Sequence, residues 1–390
     1  MDFRFTEKEE QFRQEVRDFI NKELPPQIRR RGHVQAYSVD HLPEEKIWRR
    51  KLGKKGWLRL GWPPEYNGTP ATLMERYIFG WEMAYNQAPY NSSGVGWVAP
   101  ALMKYGTAEQ KKKYLPLIGD GEIDFALGLS EPNAGSDLAS LQTRAELKGD
   151  NYVINGQKIF TSLAHKAEYV WLAVRTNPNV PKHKGISAFI VNLKTPGITL
   201  QPLIGMGGER TNATFYDNVT VPKSDLVGEP DRGWYYITTT LDLERITLGG
   251  SPGLVHNLED LVAFCRETKI DGKPLIDQQE VKDSLTDLTI DVHASVMHSH
   301  RTAWMLQKGI IPVYEASMAK VFSTELLQRF ADTATRIMGL YGQLQKGSKH
   351  APMDGEMEAL HRVSTMMTFG GGANEVNRNV MAQQGLKLPR

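Results

Sequence analysis

The sequence predicts an α+β fold in three consecutive parts: a helical N-terminal domain, a small β domain in the middle and a C-terminal helix bundle. Apolar residues recur at the spacing of an amphipathic helix in the first and last thirds of the chain. In the middle third they form short runs rich in β-branched and aromatic residues. From these changes of period we expect an all-α domain at 1–122, a β domain at 123–230 and a bundle at 231–390.

The N-terminal domain is predicted to open with a helix from Thr6 to about Leu24. Thr6 and Glu9 have the spacing of a capping box, in which a hydroxyl and a carboxylate satisfy the first backbone N–H groups of a helix. A stretch rich in glycine, proline and aromatic residues then interrupts the helical pattern. Further helices are predicted at 74–85, 95–105 and 109–117.

The middle domain is predicted to be a β-barrel or sandwich. Asn155-Gly156 favours a two-residue hairpin turn, because both residues tolerate the positive φ angles that such a turn requires. We therefore expect the chain to reverse direction there. The predicted strands cover 152–154, 169–174, 186–191, 198–203 and 213–219.

The C-terminal domain is predicted to be a bundle of long helices. Few turn-forming residues interrupt its helical pattern, which is typical of bundles with short connections. The predicted helices cover 235–266, 278–308, 312–338 and 356–368.

Charge and composition argue against several classes of partner and location. The chain has 47 basic and 45 acidic residues and a net charge of +2, so it has no overall field for nucleic acid or an anionic membrane. Cys265 is the single cysteine, so an internal disulfide is excluded and a reducing compartment fits best. The sequence has no apolar signal-peptide core and no run of 18 apolar residues. We expect a soluble, cytoplasmic protein without a nucleic-acid partner, membrane insertion or a metal site.

The segment 130–137, S-E-P-N-A-G-S-D, combines hydroxyl groups, small residues and a proline at the start of the β domain. On its own, it is also consistent with a polar connecting loop. Its small residues would let backbone N–H groups approach a planar or anionic ligand, and Ser130 and Ser136 each supply a hydroxyl. This first signature segment resembles the T/S-E-P-x-A-G-S-D signature of the acyl-CoA dehydrogenase family. The match covers eight positions of mixed residue type and is far more specific than a single glycine-rich loop.

A second signature segment, residues 155–162, reads N-G-Q-K-I-F-T-S. It is similar to the N-G-x-K pattern of the same family, which continues with an aromatic residue and a hydroxyl. The two segments occur in the family's order, and the likeness extends over nearly the whole chain. The resemblance implies the family's fold, with a helical domain, a β-barrel or sandwich and a four-helix bundle.

The resemblance also implies FAD as cofactor and an acyl-CoA thioester as substrate. Ser136 would contact the CoA portion of the substrate. Phe160 stands where tryptophan is common in the family, and it would still pack on the flavin ring. By position, the residues that would contact the flavin are Leu129, Ser130, Phe160, Thr161 and Ser162.

The family receives the pyrophosphate and adenine of FAD from a neighbouring subunit. The resemblance places Arg266 and Gln279 at two of the positions that hold them. The family's Q-x-x-G-G-x-G turn corresponds to residues 336–342, in which Arg336 replaces the glutamine and Leu340 replaces the second glycine. Backbone N–H groups near Gly339 and the charge of Arg336 would then meet the pyrophosphate.

The reaction requires a carboxylate that removes the α proton of the thioester. In many members this base lies in a C-terminal Y-E-G-T pattern, and Gly371 occupies the matching position here. A glycine cannot remove a proton, although its backbone N–H group could polarise the thioester carbonyl.

A second base position resembles the D-L-E-R pattern of isovaleryl-CoA and long-chain dehydrogenases, and corresponds to Asp242-Leu243-Glu244-Arg245. Leu241, Glu244 and Leu248 share one helix face, so Glu244 would be a carboxylate among apolar side chains, which is costly unless it is paired or used. A structural ion pair is the alternative reading of Glu244. The resemblance implies that Asp242 and Arg245 shape the substrate site, and ordinary helix salt bridges are the alternative for Asp242.

The sequence therefore predicts FAD-dependent α,β-dehydrogenation of an acyl-CoA. In the family, a base at this helix position occurs in members that act on branched, long or bulky acyl groups, so the resemblance implies a branched, alicyclic or otherwise bulky acyl group. The resemblance further implies electron-transfer flavoprotein as the electron acceptor and a homotetramer or heterotetramer. Two alternatives remain: an acyl-CoA oxidase, and a non-catalytic partner subunit of a heteromeric acyl-CoA dehydrogenase.

Overall fold

The computed structural model describes residues 4–29, 42–90, 92–238 and 251–389. Helices occupy the two ends of the chain and a single mixed sheet lies between them. The predicted order of a helical part, a β part and a helix bundle is therefore confirmed. Within these described ranges, none of the helices is both long enough and apolar enough to cross a membrane.

The N-terminal part contains the helices α1 (Glu7–Glu23), α2 (Pro43–Lys54), α3 (Leu73–Tyr85), α4 (Ala99–Tyr105) and α5 (Ala108–Gly119). The capping box predicted for α1 is confirmed, since the Thr6 hydroxyl accepts from the Glu9 N–H group and the Glu9 carboxylate accepts from the Thr6 N–H group. The same device begins α3 and α5. Large buried side chains, among them Trp48 and Trp57, fill the core between α1, α2 and α3.

The middle part contains the strands β1 (Phe125–Gly128), β2 (Arg144–Lys148), β3 (Asn151–Lys158), β4 (Tyr169–Arg175), β5 (Ile186–Asn192), β6 (Ile198–Ile204) and β7 (Arg210–Pro222). They form one seven-stranded sheet in the order β1-β4-β2-β3-β7-β6, with β5 paired to β4. The strands β1 and β4 are parallel, whereas β4 with β5, β3 with β7 and β6 with β7 are antiparallel.

The hairpin turn predicted at Asn155-Gly156 is wrong. Both residues lie inside β3, where the pairing with β7 shifts between Ile154 and Gly156. The turn lies instead at residues 149–150, because Lys148 pairs with Asn151. An added Cβ at Gly156 would lie 2.7 Å from Thr143, so the glycine allows a close approach of two chain segments within the sheet.

The C-terminal part begins with a helix, α6, of which residues 233–238 are described. A short hairpin of β8 (Lys269–Ile270) and β9 (Lys273–Pro274) separates the first two long helices of the bundle. The bundle core is built on buried leucine, valine and phenylalanine side chains such as Leu285 and Phe330. The remaining helices are α7 (Ser251–Glu267), α8 (Gln279–Gln307), α9 (Val313–Ile337), α10 (Glu356–Met367) and α11 (Asn374–Val380).

Side-chain hydrogen bonds connect the three parts. The Gln87 amide donates to Asn257 at 3.2 Å and to Glu356 at 3.1 Å, which ties the N-terminal part to α7 and α10. The β6–β7 connection is held on α10, because Arg362 donates to the Met206 carbonyl at 2.6 Å. These contacts fix the sheet, and the signature segments that leave it, relative to the bundle.

Candidate active site

The first signature segment follows β1 and is anchored to β3 by a buried ion pair. The carboxylate of Glu131 accepts from Lys158 Nζ at 2.8 Å and from the backbone N–H groups of Gln142 and Thr143 at 2.6 and 2.8 Å. Lys158 Nζ also donates to the Leu129 carbonyl at 2.9 Å. The two signature segments are therefore held together through their own charged side chains.

Burial affects the pKa values of both members of this pair. Burial lowers the pKa of Lys158 to about 8, although the neighbouring charge of Glu131 opposes the change. Burial acts to raise the pKa of Glu131, but the charge of Lys158 and the donated hydrogen bonds outweigh it and hold that pKa below its ordinary value. The pair and the backbone groups that it contacts therefore form a buried, hydrogen-bonded link between the two segments.

The end of the first signature segment is fixed by charged contacts near the surface. The Asp137 carboxylate accepts from Lys182 Nζ at 2.6 Å and from the Ser140 hydroxyl at 2.6 Å. Arg175 donates to the carbonyls of Ala139 and Leu141 at 2.6 and 3.2 Å, and to a carbonyl of the β4–β5 connection. Ser136, the predicted CoA contact, is exposed on this braced loop.

The second signature segment presents an exposed aromatic ring. Phe160 has a φ of 55° and is 61% exposed, which is unusual for a large apolar side chain in the left-handed region. Such backbone conformations persist only where the surroundings impose them, and they concentrate at functional sites. The exposed ring therefore marks this turn as a candidate binding surface.

The residues beside Phe160 hold the turn in place. Thr161 is fully buried, with its N–H group on the Asn212 carbonyl at 2.9 Å and its hydroxyl 2.7 Å from that of Thr214. The half-buried Ser162 places its hydroxyl 3.2 Å from that of Thr211.

Leu129 and Ser130 lie directly beside this turn, since the Ser130 carbonyl accepts from the Ile159 N–H group at 2.9 Å. Both residues are half-buried. The structure thus brings the five predicted flavin contacts into one region, although the hydroxyl and N–H groups of Thr161 are already engaged inside the protein.

The predicted contacts for the pyrophosphate and adenine lie elsewhere on the bundle. Arg266 is exposed near the end of α7, and the Gln279 amide donates to Asp283 at the start of α8. Arg336 pairs with Asp332 at 3.1 Å near the end of α9, and the exposed Gly339 follows it with a φ of 60°. Arg336 also lines a surface groove of about 400 Å³ between α8 and α9. These residues make no hydrogen bond to either signature segment within the described ranges.

Gly371 lies in a glycine turn between α10 and α11, residues 370–372. The φ angles of Gly371 and Gly372 are 66° and 105°, which glycine adopts without the strain that a side chain would add. The Asn374 N–H group closes the turn by donating to the Thr368 carbonyl at 2.8 Å. Among the described residues, the N–H groups of Gly371 and Gly372 have no hydrogen-bond acceptor.

Asp242, Glu244 and Arg245 lie outside the described residues. The assignment of Glu244 as the base therefore stays a prediction from the sequence. The described part of α6, residues 233–238, ends shortly before these three residues, and α7 begins shortly after them.

Sequence reasoning did not assign a role to several residues that organise this region. Glu131 and Lys158 lie inside the signature segments, so the motifs themselves contained the signal for their ion pair. Lys182 pairs with Asp137 from a different strand connection, and only the fold brings them together. Lys320, an ionisable residue in a largely buried stretch of α9, donates hydrogen bonds to two residues that flank the glycine turn, Thr368 and Asn374. Its one signal was a lysine on the apolar face of a predicted helix.

Comparison with known families agrees with this three-part architecture. Models of the acyl-CoA dehydrogenase N-terminal, middle and C-terminal domains match residues 6–122, 126–219 and 231–386. The chain belongs to the acyl-CoA dehydrogenase family, whose members are flavoproteins, and it is an oxidoreductase that dehydrogenates acyl-CoA.

Among curated proteins, the chain is similar to acyl-CoA dehydrogenase FadE26 of Mycobacterium tuberculosis, with 38% identity over 400 residues that cover 99% of this chain and 98% of that protein. Among solved structures, it is similar to the Tcur3481-Tcur3483 steroid ACAD, with a TM-score of 0.93, 39% identity and full coverage of both chains. It is also similar to the ChsE4-ChsE5 complex from Mycobacterium tuberculosis, with a TM-score of 0.91, 38% identity and full coverage of both chains.

Proposed function

We propose that this chain catalyses the FAD-dependent α,β-dehydrogenation of a bulky acyl-CoA thioester, with Glu244 as the base that removes the α proton. The observation that carries this proposal is the rigid junction of the two signature segments. The buried Glu131–Lys158 pair holds them side by side and leaves the Phe160 ring exposed beside Ser130. The buried charge pair and the left-handed backbone conformation of Phe160 are both unfavourable for folding. Their presence at one surface is consistent with a ligand-binding role.

The residues present fit a flavin. Phe160 offers an exposed aromatic face, Ser130 and Ser162 offer half-buried hydroxyl groups, and Leu129 offers an apolar contact. When bound, FAD accepts the hydride that leaves the β carbon of the substrate. The supporting side chains below this surface are already hydrogen-bonded, so the surface is preorganised.

Glu244 and Gly371 are proposed to have different roles, because only Glu244 has a side chain that can accept a proton. Gly371 has no group that could accept a proton, so the base must come from another element, and Glu244 is the candidate that the D-L-E-R pattern supplies. The N–H group of Gly371 would polarise the thioester carbonyl and so stabilise the negative charge that develops as the α proton leaves. Asp242 and Arg245 would shape the site around the substrate.

A bulky acyl group is proposed on two grounds. A glycine at 371 occupies less space than the glutamate found there in many members of the family. In addition, a solved structure similar to this chain is described as a steroid ACAD. We therefore propose alicyclic acyl-CoA thioesters of the steroid side-chain type as the first substrates to test.

The proposed assembly is a tetramer that contains either one kind of subunit or two. Two similar solved structures are described by pairs of protein names, Tcur3481-Tcur3483 and the ChsE4-ChsE5 complex, which favours the heteromeric form. Arg266, Gln279, Arg336 and Gly339 lie apart from the signature segments of their own chain, which is consistent with service to the FAD of a neighbouring subunit. Electron-transfer flavoprotein is the proposed electron acceptor.

The test is anaerobic titration of the purified protein with steroid side-chain, branched and straight-chain acyl-CoA thioesters. We expect the wild-type flavin absorbance to disappear with the bulky substrates. Glu244→Gln should retain FAD but lose this reduction, while Glu267→Gln, which changes an exposed residue of the same domain, should behave as wild type. Flavin reduction by Glu244→Gln at the wild-type rate would show that the base lies elsewhere.

Two further outcomes address the alternatives. A protein that is purified without flavin, even together with its partner chain, would indicate a non-catalytic subunit. Reoxidation of the reduced flavin by O₂ as fast as by electron-transfer flavoprotein would indicate an oxidase.

A further inference from the structure

We propose that Lys320 is a positioning residue whose buried ammonium group fixes the glycine turn, residues 370–372, and so aims the Gly371 N–H group at the thioester carbonyl. The inference rests on the proposed function of that N–H group. It extends that function to a residue of α9 that lies far from the turn in sequence and outside both signature segments.

Lys320 is 3% exposed, although it carries a charge. Its Nζ atom donates to the Asn374 side-chain oxygen at 2.7 Å and to the Thr368 carbonyl at 3.1 Å. Both acceptors are neutral. Burial lowers the pKa of Lys320 to about 8, against the opposing charges of Glu375 and Glu325. A buried cation on neutral acceptors is unfavourable for folding, so its presence here calls for a reason beyond stability.

The two acceptors lie on opposite sides of the turn. Thr368 follows α10 and Asn374 begins α11, so Nζ connects the point where the chain enters the turn with the point where it leaves. The Asn374 N–H group also donates to the Thr368 carbonyl, which therefore accepts two hydrogen bonds. Lys320 thus closes the turn at its base.

The rest of the turn is held by amide side chains. Asn377 donates to the carbonyls of Gly372 and Ala373 at 3.1 and 3.0 Å. Asn374, which is 2% exposed, also donates to Glu325 at 3.1 Å. Among the described residues, the N–H groups of Gly371 and Gly372 remain without a hydrogen-bond acceptor at the top of the turn.

Three consecutive glycines cannot hold such a geometry themselves. Glycine has the largest backbone freedom of any residue, and it has no side chain to pack against a neighbour. The same freedom permits the φ of 66° at Gly371. An external anchor is therefore required if one N–H direction is to be kept, and Lys320 is placed to supply it.

The first experiment measures the turn directly, without substrate. In the FAD-bound protein, hydrogen exchange of the Gly370 and Asn374 amides is compared between wild type, Lys320→Met and Lys308→Met. Lys308 is an exposed lysine of the same domain and serves as the control. We expect exchange about tenfold faster in Lys320→Met alone, because a charged hydrogen-bond donor no longer closes the turn. Unchanged exchange would overturn the inference.

The second experiment measures the consequence for the reaction. We expect kcat of Lys320→Met to fall by about tenfold or more, with KM changed by less than about threefold and FAD content unchanged, because a misdirected N–H group weakens the transition state more than the bound substrate. Faster exchange combined with a wild-type kcat would overturn the positioning role. If the wild-type protein does not reduce its flavin but amide exchange still depends on Lys320, the proposed dehydrogenase function is wrong. The role of Lys320 in holding the glycine turn would still stand.

A second variant guards against misfolding of Lys320→Met. Asn374→Ala removes one acceptor and keeps the buried lysine, and it should accelerate exchange of the Gly370 amide in the same way. If the two residues act through their shared contact, the double variant should be no worse than the more affected single variant. Additive effects of the two substitutions would contradict a common anchor.

Discussion

At the scale of single residues, a buried charge pair organises the candidate site. The side chain of Lys158 is fully buried and that of Glu131 is 9% exposed. In such surroundings the attraction between the charges is offset by the loss of hydration, so the pair adds little net stability over an apolar pair. Removal of one partner is different, because the other charge is left buried and unpaired. The pair therefore fixes the geometry of the signature segments more than it stabilises the fold.

We expect Glu131→Gln and Lys158→Met each to lower the free energy of unfolding by about 3–5 kcal/mol and to weaken FAD retention, because each leaves a buried charge or its polar partners unsatisfied. The double variant should lose less than the sum of the single losses. Urea unfolding and flavin absorbance measure these effects. Glu146→Gln, which breaks an exposed ion pair with Arg144, should cost less than about 1 kcal/mol.

The same pair has a predicted pH dependence. Burial acts to raise the pKa of Glu131, but Lys158 and the donated hydrogen bonds hold it below its ordinary value of 4.5. The unfolded chain therefore binds the proton first as pH falls, so this contribution to stability is complete above pH 4.5 and is lost as pH falls through the lowered pKa. The difference in unfolding free energy between wild type and Glu131→Gln should shrink in that window. A difference that is constant down to acid unfolding would contradict this account.

At the scale of elements, the N-terminus of α5 carries both a capping box and a contact with the segment that follows the sheet. Thr107 and Gln110 form the capping box of α5. The Gln110 amide also donates to the carbonyls of Ser224 and Leu226 at 2.7 and 2.8 Å, beyond the end of the sheet. A local capping signal thus coincides with a long-range contact between the N-terminal helices and the segment that leaves the β domain.

Gln110→Ala should therefore be more destabilising than loss of a cap alone. We expect Thr107→Ala to cost about 1 kcal/mol and Gln110→Ala about 2–3 kcal/mol, because the latter also leaves two carbonyls without their donor. Glu9→Ala provides the matched comparison, since it removes the equivalent partner from the exposed capping box of α1. Equal losses from Gln110→Ala and Glu9→Ala in thermal unfolding would show that the contacts to Ser224 and Leu226 contribute nothing.

At the scale of the whole molecule, exposed apolar residues lie at both ends of α9. Ile311 is 76% exposed just before the helix, and Leu340 is 84% exposed just after it. A helix of 25 residues separates them by roughly 37 Å, at 1.5 Å per residue. Ile310 and Val313 beside Ile311, and Tyr341 beside Leu340, are also exposed, so each end of α9 carries a small apolar patch. Such patches often mark contacts between chains, and we propose that both ends contribute to the assembly surface.

Ile311→Glu and Leu340→Glu should each weaken the proposed assembly, because a carboxylate would be buried in an apolar contact. We expect a lower mass by light scattering after size exclusion and, since the proposed FAD site is completed by a neighbouring subunit, a lower flavin content. Ile47→Glu is the control, because Ile47 is also exposed, at 48%, but lies on α2 in the N-terminal part. If all three variants keep the wild-type mass, the ends of α9 are not contact surfaces.

Local patterns in the sequence were sufficient for features that depend on neighbours along the chain. The capping box at Thr6 is an example, since its two partners are three residues apart. The hairpin predicted at Asn155-Gly156 failed for the converse reason: a preference for a turn is weak, and the pairing of β3 with the distant strand β7 outweighs it.

The sequence by itself determined the order of the three parts, the family and the two signature segments, because periodicity and motif spacing are properties of the chain in order. It also identified Gly371 as a position that cannot supply the base. Only the tertiary structure decided how these parts are held: that Glu131 meets Lys158, that Phe160 remains exposed on a left-handed backbone, and that Lys320 reaches the glycine turn from α9. These contacts join residues far apart in the chain, and their energies depend on burial, which exists only once the protein has folded.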